Sequence, residues 1–237
     1  MNILITLCAR GGSKGIPGKN VRMINGRHLM ALSIDIAKLF AYKFSGDIIL
    51  STDDIRIKEV AAQYGIHTTY SRPEHLATDG AGKLETIADA LHFEETRCDK
   101  KYDFILDLDI TSPLRNMKDL ESAFAIIRED PRALDIFSVN PAARNPYFNM
   151  VEQQDNSYYG LIKKGYFKTR QSAPKVYDLN ASFYFFRRAF FNQKNPSTIN
   201  ELSLIYEMPH ICFDLDHPID FEFMEYLFVN NKLGFEL

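Results

Sequence analysis

From residue 2 to residue 139 the chain alternates between two textures, and that alternation limits the fold more than anything else in it. Short runs rich in β-branched and aromatic residues give way to longer runs with apolar residues at helical spacing. Strands are expected at 2–8 (NILITLC), 47–52 (DIILST), 67–71 (HTTYS), 102–109 (YDFILDLD) and 133–139 (ALDIFSV). Helices are expected at 28–44, 55–65, 84–95 and 118–130. Asp53 and Asp54 suit the cap of the second helix, and Gly65 suits its end. A β-α-β-α rhythm of this kind predicts a mostly parallel sheet covered by helices on both faces, a three-layer α/β/α sandwich.

The rhythm breaks at 140–178, a stretch rich in Tyr, Phe and Lys with short β-like pieces. It reads as an inserted β-rich arm within a single domain spanning 1–237. A strand is then expected at 181–191, another at 209–216, and a closing helix at 217–231 with Pro218 in its first turn. With 237 residues and 46% hydrophobic content, the chain has ample material for a core.

Charge and composition remove several functions. The net charge is −3 with both signs interspersed, so no basic stripe for nucleic acid is present. No run of 18 apolar residues suggests a membrane span. The amino terminus enters a strand at once, without the pattern of a signal peptide. Cys8, Cys98 and Cys212 are far apart and odd in number, which suggests neither a disulfide framework nor a metal site. A cytoplasmic location is expected. His28, His75 and His92 show no ligand spacing.

After the first strand comes CARGGSKGIPGKN, residues 8 to 20, with four glycines, one proline and three cations. Gly11, Gly12, Gly15 and Gly18 permit backbone angles barred to other residues, and Arg10, Lys14 and Lys19 add positive charge. The combination suits a phosphate chain. The dinucleotide spacing G-x-G-x-x-G is absent. The Walker pattern fails as well: Ser13 stands where its first glycine belongs and Asn20 where Ser or Thr would hold magnesium.

The loop is similar to that of the acylneuraminate cytidylyltransferases, the CMP-sialic acid synthetase family. The resemblance continues in order through LSTDD, RPEHLATD (72–79), TSPLR (111–115), RQ (170–171), NASFYFF (180–186) and FDLDHPIDFE (213–222). It covers roughly 220 residues, and an ordered set of motifs is more specific than any one of them. It implies a nucleotide-diphospho-sugar transferase-like fold. It also implies transfer of CMP from CTP to the anomeric hydroxyl of a nonulosonic, sialic-acid-like sugar, with release of pyrophosphate. Mg²⁺ is the implied cofactor, with Mn²⁺ as a substitute, and a homodimer the implied assembly.

The barrier of such a reaction lies in aligning the nucleophile with the α-phosphorus while neutralising phosphate charge. Arg10 and Lys19 are the candidates for holding the triphosphate, with Ser13 and the loop amides as further donors. Asn20 and Arg72 resemble nucleotide-binding residues of the family. Asp214 and Asp216 alternate along the expected strand at 209–216 and so leave one face; side by side they call for a cation, or they cap the next helix. In the resembled family the D-x-D pattern binds Mg²⁺. Arg170 matches the family's active-site arginine, carried on the arm toward a partner subunit. Tyr158, Tyr159, Tyr166 and Phe167 around it suit arm or dimer packing.

Two departures bear on the sugar. Where many sialic acid enzymes have a glutamine before TSPLR, this chain has Asp109; Asp107 shares its face of the strand. Where the family has serines, this chain has GAGK and hence Lys83. Asp109, Lys83 and Arg170 are therefore the expected sugar contacts, with Asp109 alternatively a metal ligand and Lys83 a partner for the sugar carboxylate. The rival readings are a nucleotidylyltransferase for Kdo or a sugar 1-phosphate, and a non-catalytic nucleotide-binding protein on the same fold.

Overall fold

The computed structural model describes residues 1–12 and 15–237. Ten strands occur among them: β1 (Ile3–Cys8), β2 (Met23–Ile24), β3 (Arg27–His28), β4 (Asp47–Ser51), β5 (Phe104–Leu108), β6 (Asp135–Pro141), β7 (Val151–Gln153), β8 (Tyr159–Leu161), β9 (Tyr177–Arg187) and β10 (Ser203–Glu207). The α-helices are α1 (Leu29–Phe44), α2 (Ile55–Gln63), α3 (Lys83–Cys98), α4 (Met117–Glu129) and α5 (Pro218–Val229).

Six strands form the central sheet in the order β10-β6-β9-β5-β1-β4. All neighbours are parallel except β9, which runs antiparallel to both β5 and β6. The period of two along β1 divides the core. Ile3, Ile5 and Leu7 face α1 and α4 with Phe40 and Phe124, while Leu4 faces Ile87, Ala90 and Leu91 of α3. The architecture is the expected α/β sandwich with a mostly parallel sheet. From β1 the chain moves outward to β4 and then back to β5 on the other side. The carboxyl ends of these strands therefore flank a topological switch point, where α/β proteins bind ligands.

Local chemistry explains the helix ends. The Asp54 side chain accepts from Arg56 N and caps α2. Asn116 and Asp119 form a capping box on α4, and His217 and Asp220 form one on α5, which begins at Pro218. Gly65 has φ 78 just beyond α2, a conformation that favours glycine.

Two expected strands are absent. Residues 67–71 run outside the sheet because Tyr70 buries its ring against Phe93 of α3 and donates its hydroxyl to Asp89 at 2.5 Å. Residues 209–216 form no strand either: β10 already occupies the edge beside β6. After β10 the chain crosses the carboxyl ends of the sheet. Leu215 N donates to Thr111 O at 2.9 Å, and Ser112 Oγ donates to Phe213 O at 3.3 Å. His210 Nε2 meets Asp119 Oδ2 at 2.9 Å, and its ring stacks on Phe235.

The stretch between β6 and β9 leaves the sheet and returns to it at one point, since Pro141 pairs with Tyr177. Within it β7 and β8 form a hairpin, and Tyr158, Tyr159 and Tyr166 are exposed. Ala181 adopts φ 56 beside a register shift in the β6–β9 ladder. The resembled family has glycine at this position of the NASFY motif. No helix among the described residues is long and apolar enough to cross a membrane.

Candidate active site

A cleft of about 510 Å³ opens over the carboxyl ends of β1 and β5. Arg10, Lys19, Asn20, Arg72, Lys83, Asp109 and Asp216 all line it. Ser13 and Lys14 lie outside the described residues.

The glycines of the loop have two different reasons. Gly18 has φ 65, the left-handed conformation, and precedes a turn of 3-10 helix at Lys19–Val21. Gly11 and Gly15 are instead required by close approach. A Cβ on Gly15 would sit 2.6 Å from Asp216 O, and one on Gly11 would sit 2.7 Å from the Asp54 carboxylate. Gly11 N donates to Asp53 Oδ1 at 3.0 Å, and Asn20 Nδ2 donates to Arg10 O at 2.9 Å, which closes the loop on itself.

Arg10, Lys19 and Lys83 over the cleft are held by acids, and Arg72 by Ser51. Arg10 pairs with Asp79 at 2.6 Å and Lys19 with Asp216 at 3.1 Å. Arg72 is buried, and its guanidinium donates to Ser51 O at 2.7 Å and Ser51 Oγ at 3.0 Å. Lys83 Nζ lies 2.9 Å from Asp107 Oδ2 and 2.9 Å from Asp109 Oδ2. Burial alone would weaken the Lys83 ammonium, but Asp107 and Asp109 outweigh it and hold its pKa well above the ordinary lysine value. Burial likewise opposes ionisation of Asp109, yet Lys83 and the Thr111 donors bring its pKa down to about 2. Lys83 is thus a fixed cation balanced by two carboxylates. Cys8 lines the same cleft as a neutral thiol, because burial and then Asp107 push its pKa well above the usual range.

Asp214 and Asp216 do not share a strand face as expected, because their segment is not a strand. The helix cap comes from Asp220, which accepts from Asp216 N and His217 N. Asp216 is exposed at the cleft. Asp214 is half-buried, and its Oδ1 is buried with no hydrogen-bond partner. Burial, followed by the charge of Asp109, pushes the Asp214 pKa up to about 6; Asp216 adds to the effect. This carboxylate lies in a negative field that a cation would relieve. Among the described residues no group of three or more His, Cys, Asp or Glu gathers as a metal site.

Arg170 is not brought to this cleft. It donates to Ala142 O and lines a separate cavity at the base of the arm with Gln171 and Lys175.

A second groove, about 700 Å³, adjoins the cleft. Lys83 lines both chambers. Tyr184, Phe186 and Phe191 give the groove an apolar floor, and Gln193, Lys194 and Asn195 give it a polar rim.

One residue that the sequence reading left without a role holds this corner together. Arg115, of the TSPLR motif, is 1% exposed. Its Nη1 donates to the carbonyls of Asp109 (2.9 Å), Ser112 (2.7 Å) and Ser182 (3.0 Å), and its Nη2 to Ser33 Oγ (2.5 Å). Burial lowers its pKa to about 10, so it remains charged at neutral pH. Its conspicuous position inside an otherwise apolar and small-residue motif was the signal available in the sequence.

The family described as cytidylyltransferase matches residues 4–233. The chain belongs to the cytidylyltransferase family. Within it, the chain is 40% identical over 229 residues to the CMP-N,N'-diacetyllegionaminic acid synthase of Campylobacter jejuni, covering 95% of this chain and 94% of that one. It is 39% identical over 231 residues to the post-translational flagellin modification protein B of Campylobacter coli, covering 98% and 97%. A solved structure of CMP:2-keto-3-deoxy-manno-octonic acid synthetase complexed with CTP superposes with a TM-score of 0.70, covering 98% of this chain and 100% of that one. At 17% identity that likeness establishes the fold.

Proposed function

We propose that this chain transfers CMP from CTP to the anomeric hydroxyl of a nonulosonic acid of the legionaminic type. The observation that carries the reading is the pair of chambers joined at Lys83, one a glycine-loop cleft and the other an apolar groove with a polar rim. The full-length similarity to a legionaminic acid synthase supports the same substrate class.

In this reading the triphosphate lies over the loop. Arg10 and Lys19 exchange their acidic partners for phosphate oxygens, and Arg72 and Asn20 shape the nucleotide side. The sugar occupies the groove. Its anomeric oxygen forms a bond to the α-phosphorus, the bond to the β-phosphate oxygen breaks, and pyrophosphate leaves while the hydroxyl proton passes to solvent. Negative charge on the phosphates is opposed by fixed cations.

The orphaned Asp214 Oδ1 fits a magnesium site. Asp214 and Asp216 would hold Mg²⁺, or Mn²⁺ in its place, with phosphate oxygens and waters completing the oxygen shell. When bound, the ion would neutralise triphosphate charge. The arm at 140–178 serves a homodimer in this reading, and Arg170 acts in the cleft of a second copy.

Pyrophosphate release measured with CTP, Mg²⁺ and a panel of acid sugars tests the proposal. Release with N,N'-diacetyllegionaminate, and its loss in excess EDTA, is the expected result. Release only with a sugar 1-phosphate, or with no acceptor at all, refutes it.

A further inference from the structure

His210 stands where the chain leaves β10 and begins to cross the carboxyl ends of the sheet, and both of its ring nitrogens meet oxygens. Nε2 lies 2.9 Å from Asp119 Oδ2, and Nδ1 lies 3.1 Å from Ile211 O. A carbonyl and an ionised carboxylate have no proton to give. Satisfying both takes two N–H groups, and only the imidazolium carries two. A neutral ring has one N–H in either tautomer, so its bare nitrogen would face an oxygen lone pair.

The surroundings favour the charge. Asp119 is 1% exposed, and its other side-chain contacts are donors: Asn116 N to Oδ2 at 2.8 Å and the Tyr206 hydroxyl to Oδ1 at 3.2 Å. It lies in the first turn of α4, where the helix dipole stabilises an anion. Burial, followed by Asp119, pushes the Tyr206 pKa up to about 12, so that hydroxyl stays a neutral donor. Phe235, uncharged, stacks on the His210 ring with centroids 3.5 Å apart. Among the described residues neither His210 nor Asp119 has a further ion pair. Burial alone would weaken the imidazolium, but Asp119 and Ile211 O outweigh it and hold the His210 pKa above the ordinary histidine value.

One charged pair therefore joins three parts of the chain. They are the amino end of α4, the start of the crossing segment and the residues after α5, where Glu236 O also accepts from Asn116 Nδ2 at 3.3 Å. The crossing segment leads on to Asp214 and Asp216.

We propose that His210 is a pH-sensitive latch: as an imidazolium it ties the crossing segment and the residues after α5 to the amino end of α4, and loss of its proton loosens both. The latch stands independently of the cytidylyl-transfer reading.

Hydrogen exchange read residue by residue tests it. His210→Gln is set against the parent at the same pH, so that the chemical exchange rate cancels. Glutamine keeps a neutral donor and lacks the charge. The reporters are the amides of Met208, which donates to Val139 O, and of Lys232, which donates to Leu227 O. A group whose folded pKa is raised stabilises fully below its unfolded value, about 6.5, and its contribution is lost as pH rises through the folded value. The ratio of variant to parent exchange rates should therefore fall by at least about threefold between pH 5.5 and pH 9, and by about tenfold for a pKa rise of about one unit. A smaller fall at either reporter overturns the latch. So does a His210 ring that titrates at or below about 6.5 when its carbon resonances, assigned through their contact with Phe235, are followed by NMR. That titration uses the parent protein alone and decides the matter should His210→Gln not fold.

Discussion

Replacing Arg115 by Met should destabilise the protein by about 3–5 kcal/mol. The side chain is fully buried and ties three segments: the β5–α4 turn, strand β9 at Ser182 and helix α1 at Ser33. Methionine fills much of the same volume but donates nothing. The carbonyls of Asp109, Ser112 and Ser182 then lose a charged donor; each keeps one neutral donor, from Ser33 Oγ, Ser182 Oγ and Asp109 N in turn, and the loss of hydrogen bonds to a charged group costs about 1.5–3 kcal/mol apiece. Relief from burying a guanidinium offsets part of this, which brings the sum to the range seen when buried charge networks are broken. For a chain of this length each kcal/mol lowers Tm by roughly 2–4 °C, so a fall of about 6–20 °C is expected. Urea unfolding followed by circular dichroism gives the free energy, and a calorimetric scan gives Tm. Arg115→Lys should recover part of the loss, since one ammonium can reach some of these acceptors. A Met variant within about 1 kcal/mol of the parent would refute the reasoning, because the remaining neutral donors would then satisfy the carbonyls as well as Arg115 does.

Lys19→Ala should raise KM for CTP by about tenfold, the scale of one charge-assisted contact, and unchanged steady-state kinetics would take Lys19 out of the site. Asp135 is fully buried with Oδ2 unpartnered, and burial pushes its pKa up to about 6. Its folded pKa lies above its unfolded one, so stability should fall as pH rises from about 4 to past 6. Asp135→Asn should add about 1–2 kcal/mol at pH 7.5 and close to nothing at pH 4, as measured by urea unfolding at both values. Ala181→Gly should stabilise by roughly 0.5–1 kcal/mol, since alanine at φ 56 carries a steric penalty that glycine lacks, offset in part by glycine's greater freedom when unfolded. A lower Tm for that variant would show that Ala181 is not strained.

The layers of this fold were legible because period-two and helical runs differ over segments long enough to compare, as at 2–8 and 28–44. The same pattern misled at 209–216. ICFDLD alternates like a strand, but alternation reports which side chains are covered and not whether a neighbouring backbone is free to pair. The true edge strand, SLIYE, is short and half-exposed, and gave little signal. Arg10, Lys19, Asn20, Arg72, Lys83 and Asp109 belong to separate stretches of sequence, and the topology brings them to one cleft. That Asp107 and Asp109 share a face was also readable from the strand period, and both do meet Lys83. What the sequence could not show was which charges would already be matched. Pairing of Lys83 with two acids, and of Arg115 with carbonyls and serine hydroxyls, depends on approaches between segments far apart in the chain.

The single crossing at Pro141 and Tyr177 also bears on how the chain finds its fold. The β6–β9 ladder sits in the middle of the sheet, and forming it requires closing a loop of roughly 35 residues. Closure entropy grows as the logarithm of loop length, so shortening the excursion to a four-residue turn would lower that cost by only about 2 kcal/mol. The ladder's own side chains, Phe137 and Val139 against Tyr184 and Phe186, have to outweigh the difference. A chain trimmed in this way should therefore assemble its sheet faster, with the gain in the refolding rate and little change in the unfolding rate. With the unfolding rate unchanged, the length of the arm shifts stability by the same factor as the refolding rate. Insertions or deletions between Pro141 and Tyr177 would reset how quickly two distant strands meet and, to the same degree, how firmly the sheet holds.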